Sequence, residues 1–94
     1  MIILISKYLK PLEDVDKYLA AHRIFLKEAI DKGELVVCGS LNPRTGGVII
    51  SKHSSVGEAR RWISSDPFVL NSISEYEVIE FNPTLSAPDF GAFL

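Results

Sequence analysis

The sequence predicts an α+β domain in which one four-stranded antiparallel sheet carries two helices in the order β-α-β-β-α-β. Three observations lead there. Four runs rich in β-branched and aromatic residues stand at positions 2–9, 34–41, 47–52 and 73–81. Two stretches with helical spacing, 11–32 and 56–65, fall between the first and second runs and between the third and fourth. The second and third runs are joined by Asn42-Pro43-Arg44-Thr45-Gly46, a link dense in turn formers that makes them an antiparallel hairpin. Strands and helices in this order make the ferredoxin-like arrangement.

The first strand, IILISKYL, is apolar on both faces, with Ile3, Ile5 and Leu9 on one and Ile2, Leu4 and Tyr8 on the other. A strand covered on one side only alternates more cleanly. Pro11 suits the first turn of the helix that follows, and Glu13, Asp14 and Asp16 place negative charge where the helix dipole favours it. Val15, Tyr18, Leu19, His22, Phe25, Leu26, Ala29 and Ile30 recur at three- and four-residue spacing, and Gly33 suits the left-handed residue that ends the helix. His22 stands in the middle of that apolar stripe. Ser55 and Glu58 have capping-box spacing and open the second helix, which buries Val56, Ala59 and Ile63. Pro67 forbids that helix from continuing and turns the backbone at Asp66 out of the helical region. Asp66 therefore reads as a carboxylate at a helix C-terminus, where the dipole slightly disfavours it.

Residues 1–94 read as a single domain. A chain of that length buries about 60–65% of its unfolded surface, yet 47% of the residues are apolar. Two helices cover one face of the sheet, so the other face is expected to bury itself against a second copy, forming a homodimer. The tail, 82–94, holds Phe90, Phe93 and Leu94 beside Pro83 and Pro88, and is expected to dock. The net charge of −2 and the lack of any basic run argue against nucleic acid and anionic membranes as partners. The third strand also lacks the exposed rings of RNA-recognition domains. Cys38 is alone, which leaves no disulfide framework and no cysteine metal site. No apolar run reaches the length of a membrane span, and the expectation is a soluble cytoplasmic domain.

The run Tyr18-Leu19-Ala20-Ala21-His22-Arg23 with Phe25-Leu26, then Cys38-Gly39-Ser40-Leu41, Thr45-Gly46-Gly47-Val48, Asp66-Pro67-Phe68 and Tyr76-Glu77-Val78-Ile79-Glu80-Phe81 resembles the YciI-like family. The tripeptide Asp66-Pro67-Phe68 with an upstream helical histidine is the most specific part of the likeness. The resemblance implies a dimeric α+β barrel of ferredoxin-like protomers and a candidate active site built on His22 and Asp66. The family is similar in fold to muconolactone isomerases, and one branch dehydrochlorinates a chlorinated hydroquinone. The chain departs from the family pattern at Val69-Leu70-Asn71-Ser72, where a small or glycine-containing turn is common.

A histidine on an apolar helix face is commonly structural, and aspartate before proline is a common turn former. Buried on that stripe, however, His22 needs a partner. A carboxylate accepting from one imidazole nitrogen fixes the tautomer and leaves the other free to take and return a proton. The favoured reading is an enzyme without cofactor or metal, using His22 and Asp66 for isomerase, lyase or dehydrochlorinase chemistry on a small aromatic or enol-bearing molecule. The alternative is a non-catalytic ligand-binding or regulatory dimer. Ser40, Arg44 and Phe68 are the candidate substrate contacts, with Arg23 a further cation; Ser40 also reads as a strand-end serine bonded to backbone. His53, at the head of a serine-rich loop, reads as exposed polar filler.

Overall fold

The computed structural model describes residues 1–94. Its strands are β1 (Ile2–Tyr8), β2 (Leu35–Ser40), β3 (Gly46–Ser51) and β4 (Ser74–Glu80), and its helices are α1 (Leu12–Asp31), α2 (Val56–Ile63) and the short α3 (Pro67–Leu70). The expected β-α-β-β-α-β order holds, with element ends within two residues or so of the sequence reading. The strands form one antiparallel sheet in the order β2-β3-β1-β4. No helix is long and apolar enough to cross a membrane.

Register sorts the two faces. Ile2 and Leu4 of β1 lie on the face covered by the helices and form a core with Ile49, Leu35, Leu26, Ala29, Ala59 and Ile63. A second cluster of Val15, Phe68 and Ile73 joins the start of α1 to α3. β3 can lie alongside β1 because residue 46 is glycine: a Cβ there would stand 1.9 Å from the Ser6 carbonyl oxygen. The helix α1 ends as expected. Gly33 takes φ +75°, its N–H bonds to the Ile30 carbonyl, and the N–H of Glu34 reaches back to Ala29. This pairing satisfies carbonyls that the helix end leaves open. Ile30, rotated off the buried stripe beside Ala29, is exposed rather than core.

The opposite face of the sheet has no helix on it. Val37, Ile50, Ile3 and Ile79 lie directly opposite one another across all four strands. At the two edges Val37 is 52% and Ile79 40% exposed.

Two further expectations are corrected. His53 is buried rather than exposed: its Nδ1 lies 2.9 Å from the Ser51 hydroxyl and its Nε2 3.5 Å from Glu34, while its ring packs on Trp62. Glu34, just before β2, and Trp62 of α2 are distant in the chain, so the flanking loop composition could not reveal them. Asp66, in turn, does not end a helix. α2 stops at Ile63, and after the turn at Ser64 and Ser65 Asp66 is the N-cap of α3, with Pro67 at its first position. Its carboxylate accepts from the Phe68 N–H at 3.0 Å, the ordinary way a helix start is satisfied. α3 is closed by Ser72 at φ 56°, a left-handed position that glycine fills more comfortably. The tail turns through a short 3-10 helix, Pro88–Phe93, and buries none of its residues in this chain; Leu85 is 94% exposed.

Candidate active site

α1 carries His22 on its sheet-facing stripe, two turns beyond Val15, and α3 packs against α1 there. The N-cap geometry of α3 turns the Asp66 side chain toward that helix. The result is a close pair: His22 Nδ1 lies 2.8 Å from Asp66 Oδ1 and 3.0 Å from Oδ2. The Asp66 side chain is 0% and that of His22 12% exposed. From β4, the Tyr76 hydroxyl donates to Asp66 Oδ2 at 2.9 Å. Three donors from three elements therefore converge on one carboxylate, offsetting the cost of removing it from water.

Since the carboxylate accepts, Nδ1 carries the hydrogen and Nε2 holds the free lone pair. No protein group bonds Nε2, and it is not sealed from solvent. Phe68 holds the ring in place by stacking on it, with centroids 3.8 Å apart and planes 8° from parallel. Tyr8 meets Phe68 edge-on at 6.0 Å. His22, Phe68 and Tyr76 line a cavity of about 340 Å³, whose other walls include Leu19, Leu26, Cys38, Ser40, Gly47 and Arg44. That is at the small end of ligand pockets, which run about 300–1,000 Å³.

The structure thus brings all five candidate residues, His22, Asp66, Ser40, Arg44 and Phe68, to one end of the sheet. Asp66 stands behind the imidazole rather than in the cavity wall. Phe68 is nearly all buried, offering the cavity little more than an edge. Arg44 reaches across from the hairpin to Asp16 of α1 at 2.5 Å. Burial pushes the Cys38 thiol above its ordinary range, which keeps it protonated and makes it wall rather than nucleophile.

Tyr76 is the residue that sequence reasoning missed. It shares a face with Val78 and stands opposite the inward-facing Ser6. A phenol on the same inward face as Ser74 and Val78 needs a partner for its hydroxyl, and that was the available signal. Burial first, and the Asp66 charge second, push the phenol well above its ordinary value. In the unfolded chain it ionises near pH 10, so above that pH the unfolded state releases a proton that the folded state retains. Stability contributed by this group is complete below pH 10 and declines as pH rises beyond it. Tyr76→Phe is expected to lower stability near neutrality by about 1.5–3 kcal/mol, the range for a bond to a charged acceptor. It should also flatten the alkaline decline. Urea midpoints at pH 8 and pH 10.5 check this, and parallel declines in the two proteins would contradict it.

A model of the YCII-related domain matches residues 1–82. The chain belongs to that family. The YCII-related match runs from β1 through β4 and so takes in His22, Asp66 and Tyr76, while nearly all of the tail lies beyond it. A comparison with curated proteins finds no match. Among solved structures, the chain resembles the 5-chloro-2-hydroxyhydroquinone dehydrochlorinase TftG of Burkholderia phenoliruptrix AC1100, in complex with 2,5-dihydroxybenzoquinone. The TM-score is 0.72 over 87% of this chain and 94% of that one, at 22% identity, a likeness that speaks to the fold.

Proposed function

We propose that this YCII-related chain is a small enzyme in which His22 moves a proton on a small aromatic or enol-bearing molecule, with Asp66 as its orienting partner. The observation that carries the reading is an imidazole tied at Nδ1 to a buried carboxylate, its Nε2 unbonded beside a cavity of single-ring size. Nε2 takes a proton from a hydroxyl or an activated C–H. The electron pair left behind forms a new C=O or C=C bond. The proton then returns to another atom, which is isomerisation, or leaves with a displaced anion such as chloride, which is net loss of HX. Neither outcome changes the oxidation balance, so the step needs no cofactor. The dehydrochlorinase with the same fold, holding a dihydroxybenzoquinone, supports a hydroquinone-type ring as substrate.

The test is chloride release from chlorinated hydroxyhydroquinones together with solvent-deuterium incorporation into enol-bearing rings. His22→Gln is expected to cost about 10²–10⁴ in rate, the usual worth of a positioned base. Turnover that survives His22→Gln would overturn the reading. A panel of rings that bind without turnover or exchange would leave a ligand-binding module.

The reading includes a homodimer through the helix-free face. A second copy offers the same four-residue apolar row to this one, and two such sheets pack about 10 Å apart. The neighbour also gives Leu85, Phe93 and Leu94 of the tail something to cover them. Light scattering after gel filtration is expected to give twice 10.4 kDa. Ile50→Glu, in the middle of the row, should give a folded monomer; a dimer indifferent to that charge would place the interface elsewhere.

A further inference from the structure

We propose that the pocket selects small aromatic anions, with Arg44 reading the charge and Asp16 serving as its resting counter-ion. The inference rests on the function proposed above and names the substrate class of the same site. The chain as a whole is acidic, with 12 Asp and Glu against 10 Lys and Arg. The cavity wall inverts that balance: Arg23 and Arg44 belong to it, and no aspartate or glutamate does. Two acids stand just outside the wall: Asp16 at the rim on Arg44, and Asp66, fully buried behind His22 with its oxygens occupied by three donors. A ligand entering this cleft therefore meets two arginines and no carboxylate in its walls, which favours an anion.

Arg44 is placed to act on that anion. Its ion-pair partner is Asp16, and the Tyr8 hydroxyl lies close to it in the same wall. The guanidinium side chain is 34% and the carboxylate 52% exposed, so the pair sits at the rim. Exposed ion pairs of this kind are weak and exchange readily. A carboxylate, or the paired oxygens of an enolate or phenolate, offers the guanidinium fork the same two-point geometry from inside the cavity. The chemistry agrees with the placement. Removing a proton through His22 leaves negative charge on the ring oxygen, and a fixed cation across the pocket stabilises that charge as it develops.

The experiment is a ¹⁵N-HSQC titration at the Gly47 and Ser40 amides with two matched pairs: benzoate against benzamide, and 4-nitrophenolate at pH 8.5 against 4-nitroanisole. The expected result is that each anion binds about tenfold or more tighter than its neutral partner, as a charge-assisted contact implies. Arg44→Gln should erase that difference and leave the neutral ligands unchanged, Arg44→Lys should restore part of it, and Asp16→Asn should tighten the anions alone. The same spectra report whether each variant is folded. Equal binding within the pairs, no anion binding up to solubility, or an Arg44→Gln protein that still discriminates would each overturn the inference. His22→Gln separates the two readings. It should lose proton exchange while keeping anion discrimination. A wild-type protein that does not discriminate yet shows His22-dependent turnover sinks only the Arg44 inference; turnover that persists in His22→Gln with discrimination intact sinks only the proposed function.

Discussion

Asp66→Ala is expected to lose about 3–5 kcal/mol of stability, the range for removing one partner of a buried pair. The change strips the acceptor from three donors at once: His22 Nδ1–H, the Phe68 N–H and the Tyr76 hydroxyl. Each buried donor left alone costs about 1–3 kcal/mol. The sum is offset in part because a buried charge is no longer held out of water. A domain of this size has about 5–15 kcal/mol in all, so the variant should stand near its unfolding limit, and urea unfolding followed through Trp62 measures it. Asp66→Asn separates the chemistry from the folding. Its amide oxygen still caps α3, but its NH₂ now donates to Nδ1 and drives the hydrogen onto Nε2. The base nitrogen is then blocked in a protein that remains folded, and turnover should fall about 10²–10⁴-fold. Long-range ¹H–¹⁵N spectra of the imidazole report the tautomer. Asp66→Asn with near wild-type turnover would show that the pair is structural only.

How much of this was legible beforehand depended on how local each signal was. The helix α1 announced itself through its stripe and Gly33, and α2 through the Ser55–Glu58 box, whose backbone bond is present at 3.1 Å. Those are rules spanning four residues. The meeting of His22 and Asp66 spans 44 positions, and periodicity alone only required that His22 find some partner. The identity of that partner came from the resemblance. Asp66 was placed on the wrong side of a helix boundary because proline both stops one helix and starts another. The two-residue turn at Ser64 and Ser65 decides between them, and nothing in its composition says so. His53 and Tyr76 were missed for a common reason. Tyr76 acquires its role from Asp66 at the start of α3, and His53 is buried against Glu34 and Trp62, so what decides each lies on distant elements.

Phe68→Ala is the second large effect, and it tests whether the tripeptide serves folding, chemistry or both. The ring is 1% exposed and joins α3 to Val15 and Ile73. Truncation to alanine in such a site costs about 3–5 kcal/mol, comparable to losing Asp66. Phe68→Leu keeps most of the volume but not the flat surface, so its stability loss should stay near 1–1.5 kcal/mol. What it removes is the plane on which the imidazole lies. His22 would then be held by its bond to Asp66 alone and free to rock about it, sweeping Nε2 away from its place beside the cavity. The expected signature is a lower kcat with KM little changed, because the ring orients the base and barely touches the ligand. A raised KM at constant kcat would instead make Phe68 the direct substrate contact that its place in the sequence suggested.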